Sequence, residues 1–413
     1  MQTTLLGLAI VFILALVTAL VGPFVVDWGS HRSVFEHEAS RLIGVDVHVT
    51  GAIDARLLPS PRLVLHDIAI GPAGKDQLRA RSLGIEFGLG PLMRGEWRAT
   101  EMDVTGPEVH LGLDKSGHVR TPTIAINFDP DALSVDKLSV QDGTVTLSDA
   151  ANGGTMVLNN VWFNGDVRSL LGPVKGEGAF KIGGDLYPYR LAVSRFGEDS
   201  TLKLHLNIDP VSHPLSIESD GTLSLAQGAP RFDGTLKLAR PVGIAQQSAG
   251  AVTQPWRIGG KIKATSAGAL MEQVEFQYGS DEQAIKLSGT ADFKFGVKPH
   301  FQGVLSGRQI DFDRVLENTG APRPPPAAAF RTLAELAASA FRPTFPIDLG
   351  IGIDQVTLGG NTIQTVRGDI STDLNGWNLD RFEFRAPGLS QVRLSGRLAV
   401  DAAGVTFTGP AAI

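Results

Sequence analysis

Along most of this chain, apolar and polar side chains alternate with a period of two. Val45, Val47 and Val49 alternate with Asp46, His48 and Thr50, and Val145 and Leu147 alternate with Thr144, Thr146 and Ser148. Leu202, Leu204, Leu206 and Ile208 alternate with Lys203, His205 and Asn207. Near the end, Phe382 and Phe384 alternate with Arg381, Glu383 and Arg385. Val392, Leu394, Leu398 and Val400 do the same with Arg393, Ser395 and Arg397. Successive strand side chains point to opposite faces, so this pattern predicts antiparallel strands with one apolar and one solvated face. Turn chemistry punctuates the runs at Asp142-Gly143, Asn152-Gly153-Gly154, Gly183-Gly184, Asp220-Gly221, Asp233-Gly234, Gly359-Gly360-Asn361 and Asn375-Gly376. Such spacing suggests meandering hairpins and not parallel βαβ units.

Helical patterns are few. Ser33 to Leu42 reads as a short helix, with Ser33 and Glu36 as a capping box and Gly44 beyond its end. Val34, Phe35, Ala39, Leu42 and Ile43 would share its apolar face. Asp311 to Glu317 reads as one or two turns, with the Asp311-x-Asp313 pair in a capping role. Ala321 to Pro326 is a stiff proline-rich linker, and Thr332 to Phe341 an amphipathic helix.

The first 26 residues break the period altogether: no side chain there is ionisable, and Leu5 to Val21 is apolar apart from Gly7 and Thr18. Leu5, Leu8, Val11, Phe12, Leu14, Leu16, Leu20 and Val21 would form a transmembrane anchor, since about 17–22 residues at 1.5 Å rise match a ~30 Å hydrocarbon core. Trp28 then falls at headgroup level. A cleaved signal peptide, with Val17-Thr18-Ala19 as its site, is the competing reading.

A sheet with one apolar face must bury that face. Two sheets can stack, or one can curl into a trough whose lining is too sparse to fill it and accepts acyl chains. Pattern alone weighs the trough and the filled core equally. The trough reading predicts a mainly β fold: a transmembrane helix, then a long, curled antiparallel sheet forming an elongated apolar groove, with a few short helices. Val145, Leu147, Leu202, Leu204, Leu206, Phe382, Phe384, Val392, Leu394 and Leu398 are its candidate lining. The corresponding organisation is an anchor at 1–27, a β-rich body at 28–320, linker and helix at 321–346, and a further β segment at 347–413.

Composition sharpens this picture. Glycine, at 48 of 413 residues, is about 12% against a usual ~7%, as many turns and strands require. The net charge of −6 gives no reason to expect a nucleic-acid partner. The absence of cysteine excludes disulfides, Cys-ligated metals and thiol catalysis. The nine histidines are dispersed, and no nucleophile elbow, phosphate loop or dinucleotide fingerprint is present. No enzyme, metal or cofactor is therefore expected, although carboxylates paired across strands would leave no trace in a sequence.

One stretch carries more specific information. Residues 35–71, FEHEASRLIGVDVHVTGAIDARLLPSPRLVLHDIAIG, resemble the N-terminal region of the AsmA family of Gram-negative envelope proteins. Leu92 to Gly95, Val109 to Gly117, Ile310 to Leu316 and Ile347 to Val400 continue the resemblance, which is specific at 24–120 and 303–400 and pattern-level between them. The resemblance implies a single-pass inner-membrane protein with its bulk in the periplasm, related to the TamB, YhdP and chorein-type bridge proteins. It implies a role in outer-membrane biogenesis, the targeting of proteins to that membrane, or phospholipid movement in an apolar groove, with no catalytic residues. The expected partners are membrane phospholipid and envelope proteins, or a second copy of the chain. The alternative is a scaffold or assembly factor for outer-membrane proteins that binds no lipid.

Overall fold

The computed structural model describes residues 27–413 except 73–77, 95–97, 121–133, 152, 169–171, 198, 213, 226–227, 241–254, 280–283, 297, 317–324, 326–344, 374–375, 389 and 402–403. The eight residues of the expected anchor, the helix expected at 332–341 and most of the proline-rich linker lie outside the described residues. Among the described residues no helix is long and apolar enough to cross a membrane. The chain is mainly β and divides into two compact units, Met1–His213 with Leu223–Pro230, and Pro214–Thr222 with Arg231–Ile413.

The first unit opens with a 3-10 turn, Trp28–His31, and helix α1, Arg32–Ile43. Its strands are β1 Val47–Val49, β2 Ile53–Arg56, β3 Arg62–Ile70, β4 Leu78–Phe87, β5 Arg98–Thr105, β6 Glu108–Leu113, β7 Val119–Arg120, β8 Ser134–Asp149, β9 Thr155–Val167, β10 Val174–Ile182, β11 Asp185–Val193 and β12 Thr201–Ile208. A one-turn helix, α2, Leu89–Met93, joins β4 to β5. Strands β1 and β2 both pair with β3, and pairing then proceeds from β3 through β4, β5, β8, β9, β10 and β11 to β12.

Strand β13, Ser216–Ser224, crosses the boundary between the units. The second unit continues with β14 Arg231–Arg240, β15 Trp256–Thr265, β16 Gly268–Tyr278, β17 Ile285–Lys294, β18 His300–Asp311, helix α3 Phe312–Leu316, β19 Ile347–Leu358, β20 Asn361–Asp373, β21 Gly376–Arg385, β22 Gln391–Asp401, β23 Gly404–Thr408 and β24 Ala411–Ala412. From β14 to β23 each strand pairs with the next, and β24 also pairs with β22.

The expectation of an antiparallel sheet is corrected: the strands belong to one mixed sheet, with parallel pairs in both units. Strands β5 and β6 pair in parallel with β8, from Arg98↔Ser134 to Leu113↔Asp149, and β18 pairs in parallel with β19. A parallel neighbour must start from the same end, which requires a crossover of a dozen or more residues. The long connections 114–133 and 312–346 supply those crossovers.

Three of the expected turns are also corrected. Asp142-Gly143 lies inside β8, where Asp142 takes φ 53° at a bulge in the pairing with β9. Asp220-Gly221 and Asp233-Gly234 lie inside β13 and β14. There the two glycines approach so closely that a Cβ on Gly221 would sit 2.7 Å from the Gly234 Cα. Glycine serves there for backbone approach, not reversal. Gly183-Gly184 and Gly359-Gly360 are turns as expected, each with positive φ.

Helix α1 differs in its details. Gly44 closes it at φ 75° as expected, but its N-cap is His31, with no side-chain cap. Glu36 and Ser40 face β1 instead: Val49 N donates to Glu36 Oε1 at 2.7 Å and Val47 N to Ser40 Oγ at 2.9 Å. Arg32 donates to the Gly51 carbonyl at 2.9 Å. The helix thereby occupies the backbone groups of an edge strand that would otherwise invite another chain. Phe35 and Ala39 pack onto the buried cluster Val47, Val49, Ile53, Leu65 and Ile68, whereas Val34 is exposed. Leu65 and Ile68, three apart, are buried together because Asp67 takes φ 52° between them and resets the alternation.

Candidate functional site

The strand register assembles the period-two pattern into continuous apolar rows. Residues paired across neighbouring strands lie on one face. In the first unit one row runs Ile53, Leu65, Leu83, Val104, Val140, Phe163, Gly178, Tyr189, Ile208. The next runs Ala55, Leu63, Ile85, Met102, Leu138, Gly165, Gly176, Leu191, Leu206 through the same strands. Neither row contains an ionisable group other than the Tyr189 phenol. The opposite face runs Arg62, Glu86, Glu101, Lys137, Asp166, Lys175, Ala192, His205.

The second unit repeats the arrangement. One row runs Phe232, Ala264, Ala269, Phe293, Phe301, Ile347, Thr372, Trp377, Leu398, Phe407. A second runs Gly234, Ile262, Met271, Ala291, Gly303, Leu349, Ile370, Leu379, Gly396. Thr372 is the one polar member, and its hydroxyl accepts from Ile347 N at 3.1 Å, so its burial costs little. The opposite face carries Asp233, Lys263, Asp292, Gln302, Asp348, Ser371, Asn378 and Arg397.

Burial along these rows is uneven. In the first unit α1 covers the β1–β3 end, where Val49 is 1% and Leu65 5% exposed. Across β4 to β12 most row members, including Leu83, Val104, Leu138, Leu191 and Leu206, are half-buried. Neighbours shield them sideways, but they are not sealed as a packed core would be. The second unit has its own closed patch, formed by Ile285, Ile310, Ile353, Val356, Leu358 and Val366, with Phe312 of α3 packed against it. Asp313 pins α3 there: at 2% exposure, its carboxylate accepts from Gly359 N at 2.6 Å and Gly360 N at 2.7 Å. Its neighbour Asp311 accepts from Arg314 N, the capping role expected of it.

Glycines set the floor of the first unit's face. A Cβ on Gly165 or Gly176 would come within 2.6 Å of Phe163 Cζ, and one on Gly178 within 2.7 Å of Tyr189 Cζ. Both rings therefore lie down over glycines, which covers the bare backbone and keeps bulk out of the space above. The Tyr189 hydroxyl donates to the Trp162 carbonyl at 3.3 Å. Burial pushes its phenol above the ordinary value, so it stays neutral. Burial likewise raises the Tyr278 phenol, against the opposing charge of Arg240.

The expected lining residues fall into three groups. Val145 and Leu147 meet Val109 and Leu111 on one side and Leu158 and Met156 on the other. Leu204 and Leu206 meet Val193 and Leu191, with Leu202 two positions earlier on β12. In the second unit Phe382 pairs with Leu394, Phe384 with Val392, and Leu398 with Trp377. Phe382 and Phe384 also pack against the closed patch, their ring centroids 5.9 Å apart, so they wall a core. The sequence reading missed Leu138, Met102, Leu191, Ile262 and Met271, whose membership depends on register, and the glycine–aromatic contacts. Among the described residues, no group of three or more His, Asp or Glu is placed to hold a metal ion.

In each unit, then, the strands set rows of apolar side chains on one face and rows of mainly polar and charged ones on the other. The AsmA family pattern matches residues 2–235, more than half of the chain, and the chain belongs to the AsmA family. Membership supports an envelope-associated protein. The match covers the first stretch of resemblance and extends beyond it, whereas 303–400 lies outside the matched span. No curated protein matches the chain. No solved structure matches it either.

Proposed function

We propose that this protein is a non-enzymatic, single-pass inner-membrane protein whose periplasmic body holds or transfers phospholipids on its apolar faces, in the service of outer-membrane biogenesis. The observation that carries the reading is the pair of half-buried apolar rows crossing β4 to β12, in which Tyr189 is the one ionisable group, with the row Glu86, Glu101, Lys137, Asp166 and Lys175 on the other face. An acyl chain laid along such rows leaves water at a gain of about 0.8 kcal/mol per methylene. Neighbouring positions are chemically alike, so a chain can shift along them without a catalytic step. The lining is aliphatic, with aromatic rings lying flat, which suits acyl chains better than stacking ligands. The apolar run Leu5–Val21 supports the anchor and falls within the family match.

The test uses the full chain in an envelope-bearing bacterium, with benzoylphenylalanine placed at Leu206 or Leu138, or at His205 on the opposite face. Irradiation should yield phospholipid adducts from the first two positions and not from the third. Protein adducts alone at Leu206 and Leu138 would replace this reading with the assembly-scaffold one.

A further inference from the structure

Helix α1 runs antiparallel to the strands it covers, and its contacts step regularly along them. Ser40 meets Val47, Glu36 meets Val49, Arg32 meets Gly51, and the turn Trp28–His31 lies against β2. Four helical residues advance about 6 Å and two strand residues about 6.6 Å, so the two stay in step. The turn ahead of α1 is therefore carried alongside β2, and the chain at its N-terminal side heads toward the end where the strand finishes at Arg56 and Leu57 begins the next connection. Asp27 caps that turn, its carboxylate accepting from Gly29 N at 3.0 Å, and follows the apolar run Leu5–Val21 after five residues.

Two connections project from the same end. Arg56 pairs with Arg62, and Arg62 with Glu86, so the β2–β3 connection and the β4–β5 connection emerge side by side. Phe87 N donates to the Pro61 carbonyl at 2.8 Å, tying them together. Both present large apolar side chains to solvent: Leu57 is 47% exposed, Leu89 44% and Met93 81%. Exposed Arg56 and Arg94 adjoin them. Apolar tips bordered by arginine suit the bilayer interface, where the side chains enter the acyl boundary and guanidinium groups reach phosphate.

Resting on the proposed lipid-handling role, we propose that this end of the first unit is a membrane-docking surface: Leu57, Leu89 and Met93 insert into the bilayer that holds the N-terminal segment. Only five residues of sequence separate Asp27 from the apolar run Leu5–Val21, which names the occupant as the bilayer that would hold that run, not a soluble partner.

The chain has no cysteine, so single-cysteine variants of the full chain can be labelled cleanly. Met93→Cys and Leu89→Cys would carry an environment-sensitive fluorophore in phosphatidylethanolamine–phosphatidylglycerol vesicles. Val211→Cys is the control: it is 69% exposed, and its backbone bond to Leu186 places it at the opposite end of the unit. Labels at 93 and 89 should show blue-shifted emission, quenching by brominated acyl chains and loss of quenching by iodide, while the label at 211 shows none of these. Equal iodide access at 93 and 211 would overturn the proposal. So would shielding at 93 without brominated-lipid quenching, which would indicate a second copy or another protein. Lipid adducts at Leu206, read separately, can fail while quenching at 93 persists, so failure of the docking surface and failure of the lipid-handling role are distinguishable.

Discussion

Placing a charge on the apolar face distinguishes a lipid-holding surface from a packed core, and Leu204→Asp does so in the first unit. Leu204 pairs with Val193, in the row that continues through Val174 to Val167, and is half-buried. Full burial of a leucine is worth about 1.5–3 kcal/mol, so a half-buried one gives up about 1 kcal/mol on replacement. At that exposure the new carboxylate keeps much of its hydration and escapes most of the several kcal/mol that an unpaired buried charge costs. Val49, 1% exposed beneath α1, offers the contrast: Val49→Asp should cost several kcal/mol and unfold that end of the sheet. Hydrogen exchange read peptide by peptide gives both quantities as local opening free energies. Leu204→Asp should leave β10 to β12 protected while abolishing the lipid adduct from benzoylphenylalanine at Leu206. If Leu204→Asp instead strips protection from β10 to β12 as fully as Val49→Asp does from β1 to β3, the face is a filled core and the lipid reading fails.

Other consequences follow from particular contacts. Glu36→Ala with Ser40→Ala leaves Val49 N and Val47 N without acceptors, at about 1–3 kcal/mol each; it should also produce concentration-dependent association through β1, detectable by light scattering. Asp313→Ala strips the Gly359 and Gly360 amides of a charged acceptor, worth about 1.5–3 kcal/mol per bond. Faster amide exchange at those two residues should show it, with Asp313→Asn intermediate. The Tyr189 phenol is raised above 10.0 by burial, so the fold favours its neutral form. Its contribution to stability is complete below that value and is lost as pH climbs through the raised one. Tyr189→Phe should therefore blunt alkaline unfolding of the first unit, followed by circular dichroism against pH.

How much of this was legible in the sequence depended on the range of the interaction. Alternation at Leu202 to Ile208 and at Phe382 to Phe384 identified strands and their apolar sides, because side-chain direction is a property of a few consecutive residues. Gly44, Gly183-Gly184 and Asp311 were legible for the same reason, each being a cap or turn that closes within a few positions. Asp142-Gly143 misled because a bulge and a hairpin turn draw on the same residues, and only the partner strand distinguishes them. Glu36 misled in a similar way: a local capping box and a distant edge strand compete for one carboxylate, and the edge strand won.

What the sequence determined by itself was the mainly β character, the two-faced strands and the family. Period, turn composition and the motif at residues 35–71 are all local patterns. Tertiary structure alone decided which strands run parallel, which residues share a row and where the apolar face is sealed. Val104 and Val140 meet because two strands lie side by side in parallel, and Asp313 reaches Gly359 across 46 positions of chain. Local sequence specifies which way a side chain points, but what it points at depends on register and crossovers, and these are set by the folding of the whole sheet.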